Sequence, residues 1–371
     1  MLTARSRLGG ICLTSPALAE TLAAMDAAEA ARPCALPPGI TLSAEQLKKV
    51  RRIGIPLLVR LAYTALPPNA RREVEAVKAA IWITDDFLDG DAPLATRRDV
   101  VEDIVSGTSR TQFGGMWRTL VDDYKRQGRF TTLFHERVKQ YVRGVLCMEE
   151  LAAATGGGGG GKMSRAEYLR VRIDEDECAV KLSLSIPSLY MPRRAAEVLY
   201  TRSDVRALMR DVGEHVAVMN DLFSFELDRG SGRCNALSFE IAASGDPPEA
   251  AAERITARCN ALAETIMATW ARMPRGSVYD AMALEAFLNW PTANCVWSLA
   301  CGRYKGRDHA LAIMRAAAGG ARNDYASLWR GEAAAAPRRR RAVEPPAGGG
   351  PAGGGPAAAT TKRARRSSPS P

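Results

Sequence analysis

Residues 220–228 read NDLFSFELD and place an amide, a hydroxyl and a carboxylate at four-residue intervals, at Asn220, Ser224 and Asp228. Residues four apart lie on one face of an α-helix, one above the other, so the pattern predicts a stripe of oxygen atoms along a helix. Asn and Ser are mediocre residues for a helix interior. Their recurrence at helical spacing inside an otherwise good helix therefore indicates that this face has a function.

A second acidic segment, DDFLD at residues 85–89, begins 135 positions earlier. Asp85 and Asp89 share a helix face, whereas Asp86 lies about 100° around the helix from Asp85, and we expect it to pair with an arginine. The ordinary explanation of this segment alone is an acidic helix end near a turn. Two oxygen stripes facing each other across a cavity, however, can bind several hard cations. Mg²⁺ is commonly held by one or two carboxylates together with substrate phosphates, so the two segments predict a phosphate-bearing substrate.

Apolar residues at three- and four-residue spacing predict helices through most of the chain. Turn residues such as Pro67-Pro68-Asn69 separate them, and alternating strand patterns are sparse. We therefore predict one all-α domain over residues 41–330, large enough for a substantial core. The predicted helices cover about 44–65, 70–89, 97–107, 111–127, 130–154, 164–190, 194–229, 248–272, 278–303 and 307–329.

The two ends of the 371-residue chain differ from this domain in composition. Residues 331–371 are rich in Gly, Pro and Ala, and from Pro337 onward they include eight basic residues and one acid, so +7 of the formal net charge of +10 lies there. Such a composition cannot bury a core and predicts a disordered tail; nuclear localisation or nonspecific polyanion binding is the alternative reading. Residues 1–40 are predicted to be a partly disordered extension. Its first nineteen residues lack any acid, which leaves a transit peptide as the alternative.

Several classes of protein are excluded by the residue types present. The eight cysteines form no CxxC pair and there are three histidines, so a zinc site is not expected. No run of about 18 apolar residues occurs, so no membrane span is predicted.

The two acidic segments resemble the aspartate-rich motif and the NSE-type motif of the class I terpene synthases of microbial type. Two further segments agree with this resemblance, which covers about residues 45–330. In YLRVR at residues 168–172, Arg172 stands where the family has its diphosphate-sensing arginine. Trp297, followed by Arg303-Tyr304, is similar to the tryptophan and the terminal Arg-Tyr pair of the family.

The resemblance implies an antiparallel α-helical bundle of the class I terpenoid synthase type, with a central apolar cavity closed at one end by three Mg²⁺ ions, for which Mn²⁺ is a possible substitute. Asp85 and Asp89 would hold two ions, and Asn220, Ser224 and Asp228 the third. The implied enzyme is a lyase that ionises a linear prenyl diphosphate, farnesyl diphosphate as first choice, and cyclises the allylic cation.

The resemblance also implies residues that contact the substrate. Arginine suits diphosphate because its planar fork matches phosphate oxygens. We assign diphosphate or substrate binding to Asp86, Arg172, Arg303 and Tyr304. Aromatic faces stabilise a carbocation without attacking it, and Trp82, three residues before Asp85, and Trp297 are expected to form the cavity wall.

The sequence departs from the family pattern at two points of the second motif and after Arg172. Leu227 stands where the family usually has a lysine that contacts diphosphate, and the final acid is Asp228, not Glu. Residues 175–177 are acidic where the family often has a small residue at a helix break. One diphosphate contact is therefore missing or supplied from elsewhere.

Three alternatives compete with a farnesyl diphosphate cyclase. A monoterpene or diterpene synthase would use geranyl or geranylgeranyl diphosphate. A chain-elongating prenyltransferase (prenyl diphosphate synthase) shares the ionisation chemistry but uses a second DDxxD, where this chain has Asn and Ser. A noncatalytic protein acting through its basic tail is the third, and the tail lacks the aromatic residues that would favour a specific nucleic-acid partner. We expect a monomer or homodimer located in the cytoplasm, or in a plastid if residues 1–19 are a transit peptide.

Overall fold

The computed structural model describes residues 7–8, 11–12, 34–155, 164–173, 178–231 and 233–301. The predicted helix at 307–329, the tail at 331–371 and most of the extension at 1–40 lie outside these residues. The prediction of an all-α fold is confirmed, because every element described from residue 44 onward is helical. A hairpin of two-residue strands, β1 (Arg7–Leu8) and β2 (Ile11–Cys12), pairs Arg7 with Cys12 near the N-terminus.

Thirteen α-helices and one 3₁₀ helix follow within the described part of the chain. The 3₁₀ helix, Ile186–Tyr190, continues directly from α8. None of the described helices combines the length and the apolar character needed to cross a lipid bilayer. The α-helices are α1 (Ala44–Ile53), α2 (Ile55–Ala62), α3 (Pro68–Leu88), α4 (Leu94–Ser106), α5 (Gln112–Arg126), α6 (Thr132–Thr155), α7 (Arg165–Val171), α8 (Cys178–Ser185), α9 (Arg193–Thr201), α10 (Ser203–Ser231), α11 (Ala236–Ser244), α12 (Pro248–Arg272) and α13 (Val278–Ala300).

The single helix predicted over 44–65 is two helices, because the chain bends at Gly54. Gly54 has φ of 69°, in the left-handed region that glycine adopts without steric cost, and it ends α1. Pro56 then stands in the first turn of α2, where its missing N–H is tolerated. The prediction for 164–190 was likewise too continuous, since that region divides into α7, α8 and the 3₁₀ helix.

Helix α10 is the central element of the bundle. It packs against α8, α11, α12 and α13, and α13 also packs against α2. Helix α3 packs against α2, α5 and α6 on another side of the fold. The buried faces carry apolar side chains such as Val77, Val212 and Met219, and burying each one contributes roughly 1.5–3 kcal/mol to stability. The bundle thus holds α3 and α10, which carry the two acidic segments, in fixed positions.

Candidate active site

One cavity of about 190 Å³ collects the predicted metal ligands. It is lined from α3 by Asp85 and Asp89, and from α10 by Asn220, Ser224 and Asp228. Helices α6, α7, α8 and α13 supply further walls. The structure therefore brings all five side chains to one space, as the helical spacing of the two segments predicts.

On the α3 side, Asp85 lies in the last turn of the helix and Asp89 is the residue that caps its C-terminus. The backbone N–H of Asp89 donates to the carbonyl of Asp85 at 2.8 Å, which keeps both residues on one face. Asp86 is exposed and absent from this cavity; its carboxylate pairs with Lys49 Nζ at 3.2 Å. The prediction of an arginine partner for Asp86 is wrong, because α1 presents a lysine to this face of α3. The predicted contact between Asp86 and substrate receives no support from this position.

On the α10 side, hydrogen bonds orient the carboxylate of Asp228. Ser224 Oγ donates to Asp228 Oδ2 at 2.5 Å, and Asn235 Nδ2 donates to the same oxygen at 2.7 Å. Asn235 Nδ2 also reaches the carbonyl of Asp221 at 2.7 Å, while Asn235 Oδ1 accepts from Leu237 N at 2.9 Å and so begins α11. Burial raises the pKa of Asp228 above its ordinary value. A bound cation would act in the opposite direction and favour the ionised carboxylate.

The donor set fits a hard divalent cation. Asn220 Oδ1 is buried and has no hydrogen-bond partner among the described residues, which is an unsatisfied acceptor at the cavity wall. No group of three or more His, Cys, Asp or Glu side chains gathers in the described ranges. The sites consist of a carboxylate pair and of a carboxylate with an amide and a hydroxyl, which suits Mg²⁺ held partly by substrate phosphates.

Arg172 lines the cavity and is held in place by Asp221, a residue that the sequence analysis did not select. Arg172 Nε and Nη2 donate to Asp221 Oδ1 at 3.2 and 3.1 Å, and Tyr168 donates its hydroxyl to Asp221 Oδ2 at 2.5 Å. Burial lowers the pKa of Arg172, but Asp221 and the neighbouring groups outweigh it, and the net shift is upward. The guanidinium is therefore a fixed cation. Asp221 lies off the oxygen stripe, so the helical spacing does not select it. The signal in the sequence that could have found it is a charged residue directly after Asn220 at a buried position of the helix.

Tryptophan side chains form the deeper wall. Trp82 and Trp297 line the cavity with ring centroids 5.4 Å apart, and Trp297 Nε1 donates to the carbonyl of Ile53 at 2.5 Å. Trp290, which the sequence analysis missed, also lines the cavity and meets Lys78, whose Nζ lies 4.8 Å from the ring centroid. Both could have been found by extending the helical spacing, since Trp290 is seven residues before Trp297 and Lys78 seven before Asp85.

A further missed residue, Arg233, lies at the end of the cavity where the acidic side chains gather. Arg233 follows α10, and its Nη1 contacts Asp89 Oδ2 at 3.1 Å while Nη2 contacts the Asp89 carbonyl. Burial lowers the pKa of Arg233, but the negative charges nearby raise it by more, so the net shift is upward. In decreasing order of effect, these charges are Asp89, Glu149, Asp228 and Asp85. No helical pattern in the sequence pointed to this residue, because it lies in the connection between two helices. The predicted diphosphate contacts Arg303 and Tyr304 lie outside the described residues.

Comparisons with known proteins agree with this geometry. The family model described as terpene synthase family 2, C-terminal metal binding, matches residues 69–265, which include both acidic segments. A comparison with curated protein sequences gave no match.

Solved structures of similar fold include three terpene synthases. The crystal structure of α-eudesmol synthase has 15% identity and a TM-score of 0.58, covering 71% of this chain and 90% of that one. Linalool/nerolidol synthase from Streptomyces clavuligerus has 18% identity and a TM-score of 0.56, covering 76% and 94%. 2-Methylisoborneol synthase from Streptomyces coelicolor A3(2), in complex with Mg²⁺ and 2-fluoroneryl diphosphate, has 14% identity and a TM-score of 0.57, covering 78% and 94%.

A helical bundle in which two oxygen-bearing helix faces meet above an aromatic cavity is the arrangement of a class I terpene synthase. The match over more than half of its length shows that the chain belongs to terpene synthase family 2.

Proposed function

We propose that this terpene synthase ionises a linear prenyl diphosphate, farnesyl diphosphate as first choice, and cyclises the resulting allylic cation while diphosphate departs. The observation that carries the proposal is the convergence of the α3 and α10 ligands at one end of a cavity whose other walls include Trp82, Trp290 and Trp297. Such a cavity offers a charged end for diphosphate and an aromatic space for a hydrocarbon chain.

The roles of the acidic residues follow from charge. Asp85 and Asp89 would hold two Mg²⁺ ions, and Asn220, Ser224 and Asp228 a third. When bound, these ions would stabilise the negative charge that grows on the departing diphosphate. Before binding, the chain itself prepares the site, since Asn235 and Ser224 fix the direction of the Asp228 carboxylate and Asn220 presents an unsatisfied oxygen.

The arginines would supply direct contacts to diphosphate. Arg172 is oriented by Asp221, so little side-chain entropy is lost when it meets the leaving group. Leu227, at the position where the family usually has lysine, has 36% of its surface exposed and is not a wall of the cavity. We assign the missing contact to Arg233, which is a cavity wall and stands among carboxylates. On substrate binding its guanidinium would exchange Asp89 for a diphosphate oxygen.

The deeper part of the cavity must stabilise positive charge. A cation over a desolvated aromatic face gains about 2 kcal/mol or more. The tilted pair of Trp82 and Trp297 presents such faces next to the carboxylate end, where the allylic cation would first form. Exclusion of water by the surrounding helices would protect that cation until rings have closed.

Chain elongation is the less favoured function for this cavity. An elongating enzyme would hold its second metal group with a further carboxylate set, whereas α10 offers an amide and a hydroxyl at Asn220 and Ser224. Incubation of the purified protein and Mg²⁺ with geranyl, farnesyl and geranylgeranyl diphosphate separates the two functions. Gas chromatography should show cyclic products without phosphatase treatment. Longer linear alcohols that appear only after phosphatase treatment would contradict the proposal.

The proposal also covers the boundaries of the catalytic domain, its cellular location, its oligomeric state and its partners. We assign catalysis to residues 41–330, acting in the cytoplasm as a monomer or homodimer without a nucleic-acid partner. A chain that ends at residue 330 should keep its turnover and, by size-exclusion chromatography, its oligomeric state. Loss of activity on truncation would instead assign a catalytic role to the basic tail.

A further inference from the structure

A lysine side chain lies in the part of the cavity that should be apolar. Lys78 is 4% exposed, lines the cavity from α3, and is seven residues before Asp85. At a rise of about 1.5 Å per residue, it therefore lies about 10 Å from the metal ligands along the helix. A permanent positive charge there would oppose the formation of a carbocation, so the amine needs a different explanation.

Hydrogen bonds fix the position of the amine. Lys78 Nζ donates to Ser183 Oγ at 2.8 Å, and Ser183 Oγ donates in turn to the carbonyl of Ala179 at 2.7 Å. The ring of Trp290 lies on another side of Nζ, at 4.8 Å. Ser183 Oγ therefore accepts one hydrogen of Lys78 Nζ. The remaining hydrogen-bonding capacity of this nitrogen is available to a ligand in the cavity.

Asn294 supplies a second polar group to the same space. It is 2% exposed, lines the cavity, and its Nδ2 has no hydrogen-bond partner within the described residues. It stands four residues after Trp290, which meets Lys78, and three before Trp297, which meets Trp82. On α3, Trp82 is four residues, or about one helical turn, after Lys78. Asn294 on α13 therefore lies between the heights of Lys78 and Trp82 along the cavity. A buried amide of this kind calls for a small polar ligand.

We propose that Lys78 and Asn294 hold a water molecule in the cavity, and that this water captures the carbocation to give a terpene alcohol. The water oxygen forms the new C–O bond, one of its O–H bonds breaks, and the proton passes to the lone pair of Lys78 Nζ. The product is a neutral alcohol and the amine becomes an ammonium, which later returns the proton to solvent. The inference rests on the proposed function and adds to it the class of product.

The charge state of Lys78 is consistent with this role. Burial lowers the pKa of Lys78 to about 7, against the opposing effect of the Asp85 carboxylate, so a large fraction is neutral amine near pH 7. Among the described residues, its contacts Ser183 from α8 and Trp290 from α13 carry no charge, and neither does Asn294 in the same cavity. Tyr63, next to α2, donates its hydroxyl to the carbonyl of Ser183 at 2.8 Å, and burial keeps its pKa well above the ordinary value.

Isotope incorporation tests the inference directly. The full-length protein is incubated with Mg²⁺ and each of the three prenyl diphosphates in H₂¹⁸O, and products are identified by gas chromatography and mass spectrometry. We expect the main product to be an alcohol that carries ¹⁸O. A contaminating phosphatase would cleave the P–O bond and leave ¹⁶O on the carbon, and a reaction without enzyme measures spontaneous solvolysis.

Variants then assign the water to these residues. Lys78→Met keeps the length of the side chain but removes the amine, and Asn294→Leu removes the amide. Each should lower the ratio of alcohol to hydrocarbon by at least about 10-fold, since general-base assistance typically contributes 10²–10⁴-fold. Diphosphate release should change far less than this ratio, because ionisation occurs at the other end of the cavity. Lys125→Met, at an exposed lysine that pairs with Asp122, is the matched control and should leave the ratio unchanged.

The outcomes separate the inference from the function on which it rests. Diphosphate release without ¹⁸O in any product overturns the inference alone. An unchanged ratio in Lys78→Met and Asn294→Leu does the same. If no substrate releases diphosphate, the proposed function fails and the inference fails with it. Circular dichroism verifies folding, and Lys78→Gln, which keeps a polar group without a basic lone pair, replaces Lys78→Met if that variant is unfolded.

Discussion

Replacing Arg233 with methionine should move the affinities for metal and for substrate in opposite directions. In the free enzyme Arg233 pairs with Asp89, and the two side chains are 36% and 27% exposed. A partly exposed ion pair of this kind is worth about 0.2–1 kcal/mol, and a cation that binds Asp89 has to displace it. Arg233→Met should therefore tighten Mg²⁺ binding without substrate by about 1.4- to 5-fold.

The effect on substrate should be larger and opposite in sign. A hydrogen bond between charged groups contributes about 1.5–3 kcal/mol, and an arginine paired with phosphate is among the stronger examples. If Arg233 contacts the diphosphate, its loss should lower kcat/KM by about 10- to 150-fold at saturating Mg²⁺. Methionine keeps much of the length of the side chain, so the packing of the connection after α10 should change little.

Two measurements decide the result. Isothermal titration gives the affinity for Mg²⁺ alone, and a diphosphate-release assay gives kcat/KM. Arg229→Met is the matched control, because Arg229 is 62% exposed and pairs with Glu226. A kcat/KM within 2-fold of the native value, or weaker Mg²⁺ binding in the variant, would refute the assignment of Arg233.

Three further predictions concern the metal ligands, the Asp221 anchor and a buried histidine. Asp85→Ala and Asn220→Ala should each lower turnover by at least about 10²-fold with a native circular dichroism spectrum; near-normal diphosphate release in both contradicts the metal assignment. Asp221→Asn removes the ion pair that orients Arg172, so kcat should fall while Mg²⁺ affinity measured by titration is unchanged, and an unchanged kcat would refute the anchor. Burial lowers the pKa of His215 from 6.5 to about 4. Between these values the unfolded state binds a proton that the folded state does not, so stability falls on acidification. The loss in urea titrations between pH 7 and pH 4.5 should be about 2–3 kcal/mol and should disappear in His215→Leu; an equal loss in that variant excludes His215 as the cause.

The parts of the site that the sequence predicts are those governed by helical spacing. The i, i+4 rule places Asp85 beside Asp89 and Asn220 beside Ser224, and the structure brings these residues to one cavity. The same rule predicts most helices, since a buried face repeats every three or four residues whatever the tertiary neighbours are. Trp297 also lies at the cavity wall, as its match to the tryptophan of the family implies.

The parts that the sequence does not predict depend on contacts between distant segments. The bend at Gly54 interrupts a continuous apolar pattern, and the helix that follows it packs against α13, which is distant in the sequence. Arg233 reaches Asp89 across 144 positions of the chain, and nothing local marks it. Lys78 shares the helical spacing of Asp85, but spacing alone does not show that this lysine is buried inside the cavity.

The orientation of the Asp228 carboxylate on α10 depends on Asn235, a residue outside the NDLFSFELD motif. Its amide has two chemically opposite ends: the NH₂ group orients the Asp228 carboxylate, and the oxygen begins α11. An aspartate at this position could still begin the helix, but it has no hydrogen to give to Asp228 and would place a second negative charge beside it. Spontaneous deamidation would make this exchange without any mutation, but Asn235 is fully buried, and the backbone nitrogen of Ala236 that would attack its side chain donates to Asp221 Oδ2 at 2.9 Å. The fold therefore protects from chemical ageing the one amide on which the direction of the Asp228 carboxylate depends.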